Sequence, residues 1–179
     1  LDFHGDMENY FQSKLQLFRR LSNKNTAVVN IDDNYGKRIT GATSAKLITY
    51  GMEKDADLHP VHSSYSLDGI HAQLKYRHTE ITLETTLIGE YNLSNIMAAT
   101  AVSLRMNISS ELIEESLKNL PPIPGRLEQI TCNCPGKVFI DYAHSPDAYE
   151  KLLSNLVNIS NEGLDILIVF GCGGNRDRD

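Results

Sequence analysis

Cysteine is scarce in this chain: Cys132, Cys134 and Cys172 are the three in 179 residues. An odd, sparse set does not make a disulfide scaffold and suits a reducing cytoplasm. Cys132-x-Cys134 lacks a second ligand pair, which argues against zinc and leaves two ordinary thiols. The histidines do no better: His4, His59, His62, His71 and His78 form no metal set, and His59-x-x-His62 reads as solvated. No apolar run is long enough to span a bilayer, and no signal peptide is visible. An initiator Met is also missing, so the expectation is that the natural N-terminus lies upstream. Seventeen basic residues face 23 acidic ones, for a net charge of -6. With no basic cluster, nucleic acid is not an expected partner, and an anionic ligand must find locally placed cations. The phosphate loop G-x-x-x-x-G-K-[ST] occurs nowhere, and internal repeats are absent.

What is present is a mixed rhythm of elements. Residues 5–21 read as a helix, with Asp6 as cap and Met7, Tyr10, Phe11, Lys14, Phe18 and Leu21 at spacings of three and four. Lys14 is the misfit on that apolar stripe. Residues 27–31 form a short apolar strand that ends in a turn over 32–36, and 46–50 form another. After a polar loop at 51–60, alternation between 61 and 87 predicts antiparallel strands with a turn near Arg77 and His78. A helix follows, capped by Asn92 or Ser94 and carrying Ile96, Met97, Thr100, Ala101 and Leu104 inside. A second runs from Ser109 or Ser110 to about Leu120, with Leu112, Ile113 and Leu117 inside. Three prolines in 121–124 stiffen a connector and mark a domain boundary. Beyond it, 137–140 read as a strand. Ser145-Pro146-Asp147 starts a helix with Leu152, Leu153, Leu156 and Val157, and the apolar run 164–170 reads as a strand that completes a β-α-β unit.

Several residues carry two readings each. Lys14 is a snorkelling edge lysine or a buried one whose charge must be neutralised or modified. Asn92-x-x-Asn95 is a helix cap or an amide reading a base edge. Arg126 is a solvated arginine or a cation at a domain hinge. Asp141 and His144, in "DYAHSPD", stabilise a turn or meet a ligand at the carboxyl end of a strand. The closing "GCGGNRDRD" fails as G-x-G-x-x-G, because Arg176 stands where glycine is needed, though a methyltransferase-like glycine loop stays possible.

The segments "LDFHGDMENYFQSKLQLF", "NIDD", "IGEYNLSNIMAA", "PIPGRLEQI", "IDYAHSPDA" and "VFGCGGNRDRD" follow one another at sensible spacing. In series they resemble the Mur ligases of peptidoglycan synthesis, most closely the branch that adds the third amino acid of the stem peptide. The resemblance implies an α/β chain. Residues 1–124 would be the later part of a central ATPase domain without its phosphate loop. Residues 125–179 would start a Rossmann-like C-terminal ligase domain. It implies ATP-dependent amide formation in the cytoplasm, by a monomer without membrane insertion. ATP and Mg2+ would be the cofactors and a UDP-N-acetylmuramoyl dipeptide the acceptor. The closing loop is more similar to members adding meso-diaminopimelate than to those adding L-lysine. Lys14 would be carbamylated and help hold magnesium. Asn95 would lie near the adenine, Arg126 near the nucleotide, Asp141 at the ribose and His144 near the phosphates. Arg176 would bind the carboxylate of the incoming amino acid, a task suited to its planar fork. Tyr91 stands where related chains often carry Phe or His, and Asn175 where aspartate is more usual. A folylpolyglutamate- or cyanophycin-synthetase-like ligase, or a Rossmann-type methyltransferase, are the rival readings. The fragment alone is expected to be inactive.

Overall fold

The architecture comes from a computed structural model that describes residues 5–133, 135–160 and 165–171. Helix α1 (Met7–Arg19) starts where Asp6 accepts a hydrogen bond from the Asn9 amide at 2.7 Å. Its buried face is Phe11 and Leu15. The fit is set by α2 (Asn34–Thr40), whose Tyr35 ring lies 5.0 Å from that of Phe11 and whose Arg38 guanidinium sits 4.2 Å over it. This rotation corrects the sequence reading of the stripe. Met7 and Tyr10 stay exposed, and Lys14 is exposed beside them rather than buried. The helix α2 is itself a correction of the expected turn. Asp33 accepts from the Gly36 amide at 2.8 Å and so starts a helix. A Cβ at Gly36 would meet the Asn30 carbonyl at 1.7 Å, so glycine lets α2 pack close to the preceding strand.

Strands β1 (Thr26–Asn30) and β2 (Lys46–Tyr50) pair in parallel. β2 touches β3 (Leu58–Ser66) in parallel, and β3, β4 (Gly69–Tyr76) and β5 (Thr79–Thr85) form an antiparallel meander. The sheet order is β1-β2-β3-β4-β5. Alternation puts Ile70, Ala72, Leu74 and Tyr76, then Ile81, Leu83 and Leu87, on one face; all are buried except Tyr76, which is half-buried against the same core. Helices α3 (Glu90–Arg105) and α4 (Ser110–Lys118) cover that face through Leu93, Met97, Ile113 and Leu117. Leu112 was expected inside but is exposed, because Ile113 and Leu117, four apart, already fill the stripe.

Past the prolines, β6 (Glu128–Ile130) and β7 (Val138–Ile140) make a separate antiparallel pair, followed by α5 (Pro146–Ile159). Ser145 caps α5 and Pro146 occupies its first turn, as the sequence indicated. The expected last strand is not formed. Residues 165–171 pair with no strand among the described residues, and Leu167 and Val169 are almost fully exposed. An apolar run becomes a strand only where a neighbouring edge supplies backbone partners, so the predicted β-α-β unit is not formed among the described residues. In the β6–β7 connection Cys132 is disulfide-bonded, not an ordinary thiol. The chain is α/β as expected, and no helix among the described residues is long and apolar enough to cross a membrane.

Candidate functional site

The parallel strands β1 and β2 end at one groove. Asp32, just after β1, accepts from the Met52 amide at 2.7 Å and thereby ties the two strand ends together. A Cβ at Gly51 would stand 2.5 Å from the same carboxylate oxygen, so glycine permits that approach. Two neighbouring cavities of about 550 and 250 Å³ share Asp32, Met52 and Glu90. The larger carries Lys37 and Lys54 against Asp32, Glu53, Asp55 and Glu90. The smaller runs beneath the start of α3 to Lys151 and Asn155 of α5. The carboxyl ends of parallel strands are where open α/β sheets take ligands. Asn30, at the end of β1, donates to the Ser94 hydroxyl of α3 at 3.2 Å. Burial pushes the nearby Tyr50 phenol up, while hydrogen bonds from Asn30 and Ser94 oppose the shift.

Across from the groove two loops are clamped together. The Asp141 carboxylate accepts from the Leu127 amide at 2.9 Å and from the Ala143 amide at 2.8 Å. The Tyr142 amide donates to the Gly125 carbonyl at 2.8 Å, and the Gly125 amide donates to Glu128 at 2.8 Å. Gly125 holds φ at 67°, a conformation glycine adopts without a steric cost. Arg126 is exposed between these anchors, its guanidinium 5.8 Å from the Tyr142 ring. Nδ1 of His144 lies 3.0 Å from the Tyr142 carbonyl. A carbonyl can only accept, so Nδ1 carries a proton and Nε2 is the ring nitrogen left to meet a ligand.

The structure therefore brings Arg126, Asp141 and His144 into one loop pair. Tyr91, in the first turn of α3, faces them: burial first, then the Asp141 carboxylate, push its phenol up to about 12, while Arg126 pulls it down. Asn95 lies one turn further along α3 and is exposed. Neither Asn92 nor Ser94 caps that helix. Its N-cap is Gly89, and Asn92, buried, donates to the Ile88 carbonyl at 2.8 Å. Lys14 stands apart on α1, with its ammonium 5.3 Å from the Tyr10 ring. Being exposed, it has no burial cost for a modification to relieve. Arg176 and Asn175 lie outside the described residues. Among the described residues no group of three His, Cys, Asp or Glu could hold a metal ion. Magnesium commonly takes one or two carboxylates and completes its shell with phosphates and water, so these side chains offer it no cage of their own.

Reading the sequence singled out neither Glu90 nor Lys37 nor Asn155. Lys37 and Glu90 follow a strand end and a glycine and could have been marked by position. Asn155 had no local signal, since its partner is 65 residues away.

Comparison with known proteins adds the family. The Mur ligase middle domain matches residues 1–103, and the Mur ligase glutamate ligase domain matches residues 125–179. The UDP-N-acetylmuramoyl-L-alanyl-D-glutamate–2,6-diaminopimelate ligase of Fusobacterium nucleatum is 40% identical over 181 residues, covering 99% of this chain and 36% of that protein. A solved structure of a UDP-N-acetylmuramoyl-L-alanyl-D-glutamate–2,6-diaminopimelate ligase superposes with a TM-score of 0.75 at 29% identity, over 98% of this chain and 36% of that one. The MurF ligase of Thermotoga maritima in complex with ADP has the same fold, with a TM-score of 0.71 at 19% identity over 87% of this chain and 36% of that one. The chain thus spans about a third of the length of the relatives it matches.

Proposed function

The chain belongs to the Mur ligase family, and from that premise we propose that it is a segment of an ATP-dependent amide ligase. The ligase joins meso-diaminopimelate to UDP-N-acetylmuramoyl-L-alanyl-D-glutamate. The observation that carries the reading is 40% identity to a diaminopimelate-adding relative along 99% of the chain. Family membership leaves the methyltransferase alternative without support. Residues 1–124 would be the later part of the central ATPase domain and 125–179 the start of the C-terminal ligase domain.

On this reading the nucleotide is held from both sides of the proline connector. Asn95 of α3 meets the adenine, while Arg126 and Asp141 meet the sugar side. Asp141 already uses two lone pairs on backbone amides, and a carboxylate has further acceptor sites for a ribose hydroxyl. His144 presents Nε2 toward the phosphates. Arg176 binds the carboxylate of the incoming amino acid. Magnesium, when bound, would offset phosphate charge. Among the residues singled out in this chain, a carbamylated Lys14 would be its one oxygen ligand. The chemistry is ordinary for the class. The D-glutamyl carboxylate takes the γ-phosphoryl group, and the amine of the third amino acid displaces phosphate.

The test is phosphate release by the full-length protein carrying this chain, assayed with ATP, the UDP-linked dipeptide and either meso-diaminopimelate or L-lysine. Release that needs all three substrates and prefers meso-diaminopimelate supports the proposal. A preference for L-lysine overturns the amino-acid assignment, and release without the dipeptide overturns the ligase reading.

A further inference from the structure

Helix α3 begins without a cap of its own. Its N-cap, Gly89, has φ 93° and no side chain to offer. Nor could another residue stand there. That φ lies in a region essentially reserved for glycine, and a Cβ would fall 2.9 Å from the Tyr91 ring. The first amides of a helix nevertheless need acceptors. One is supplied from far along the chain: the Glu90 amide donates to Oδ1 of Asn155, on α5, at 3.2 Å. The other end of that side chain is fixed as well, because its Nδ2 donates to the Lys151 carbonyl at 2.8 Å. The amide of Asn155 is thus held in one orientation with its oxygen toward α3. Both residues line the smaller cavity.

We propose that Asn155 is a positioning residue, the N-cap of α3 supplied by the segment beyond the proline connector, and that this bond aligns Asn95 with Arg126 and Asp141. The proposal rests on the reading that these three residues share a nucleotide. Another polar tie across the connector joins Lys137 to the Leu67 carbonyl and the Asp68 carboxylate. That tie holds the β3–β4 turn, not the helix that carries Asn95. The Asn155 bond acts on the first turn of that helix. A ligand that binds only the coupled arrangement loses affinity in proportion to the population of that arrangement.

The experiment uses the full-length ligase carrying this chain, as Asn155→Ala and Asn155→Asp variants. Aspartate keeps the accepting oxygen and ranks with asparagine as a cap. Two readouts are taken. In the absence of nucleotide, hydrogen exchange of the first-turn amides of α3 speeds up about five-fold in Asn155→Ala, the effect of losing a typical cap. Binding of a non-hydrolysable ATP analogue weakens by a similar factor, while KM for the amino acid is unchanged. Both effects are smaller in Asn155→Asp than in Asn155→Ala, because aspartate keeps the oxygen that accepts from Glu90 while losing the donor to the Lys151 carbonyl. Unchanged exchange in Asn155→Ala, or equal loss of nucleotide affinity in both variants, overturns the proposal. If the parent protein fails to bind the ATP analogue at all, the nucleotide reading fails, while the exchange result still decides whether Asn155 caps α3.

Discussion

Replacing Asp141 by asparagine separates the clamp from the charge. In the structure one carboxylate oxygen accepts from the Leu127 amide at 2.9 Å and the other from the Ala143 amide at 2.8 Å. Asparagine has one oxygen, and its amide group is a donor. Whichever way it turns, one backbone N–H keeps an acceptor and the other faces a second donor. Leu127 is buried and held at φ 43°, so its amide keeps the oxygen and the Ala143 amide loses. Two charge-assisted bonds contribute about 3–6 kcal/mol together, and one neutral bond contributes about 1. The difference is about 2–5 kcal/mol. Asp141 is half-buried, and competition from water brings this down to about 1–2.5 kcal/mol. Because 1.4 kcal/mol is a factor of ten, exchange of the Ala143 amide accelerates by roughly ten-fold, and that of Leu127 by less. Asp141→Ala releases both amides, so both accelerate. Amide hydrogen exchange followed by NMR or mass spectrometry reads this directly. Protection of Leu127 and Ala143 within two-fold of the parent in Asp141→Asn would show that the two bonds do not hold the loops.

Tyr91 is expected to ionise at about 12, held up mainly by burial and then by Asp141. A folded-state value above the unfolded one of about 10 stabilises the fold fully below pH 10 and less and less as pH rises toward 12. Phenolate absorbance compared between the parent and Tyr91→Phe checks it, and a Tyr91 transition near 10 would contradict the assignment. Glu8 is held down to about 2 by Arg38, with Gln12 assisting. Its contribution is present above about pH 4.5 and lost as pH falls through 2, and Arg38→Ala should return the carboxyl to the ordinary range in an NMR titration. Leu74 is fully buried between β3 and β5, so Leu74→Ala should cost about 2–5 kcal/mol by chemical denaturation; a loss under 1 would mean the core repacks there. Lys14→Ala should shift stability by less than about 0.5 kcal/mol because the side chain is exposed. If the carbamate proposal holds, the full-length variant loses turnover and regains some with added small carboxylates. A variant with parental turnover ends that proposal.

Most helix starts were legible from a cap and a target three residues apart. Asp6, Ser109 and Ser145 each accept from an amide at that spacing. Alternation likewise exposed the meander, because successive side chains on a strand point to opposite faces whatever the sheet packs against. Asp33 obeyed the same capping rule and was read as part of a turn. The helix it starts is short and owes its place to Phe11 and to the close pass of Gly36 over Asn30. At α3 two polar residues near the helix start, Asn92 and Ser94, suggested a cap. The helix starts further upstream, with Gly89 as its N-cap, and both side chains have other partners.

The sequence by itself determined the α/β class, the core faces of the meander and the ordered segments that resemble the Mur ligases. Those depend on local periodicity and on side-chain chemistry written within a few positions. Tertiary structure alone decided that Lys14 is exposed, because the rotation of α1 follows from how Phe11 and Leu15 meet α2. It alone decided that Asp141 spends its carboxylate on two loops, that 165–171 pairs with no strand among the described residues, and that Asn155 reaches Glu90 across 65 residues. Each of these depends on which distant surface arrives beside a residue. That arrival is fixed by the packing of whole elements and has no signature in the residues nearby.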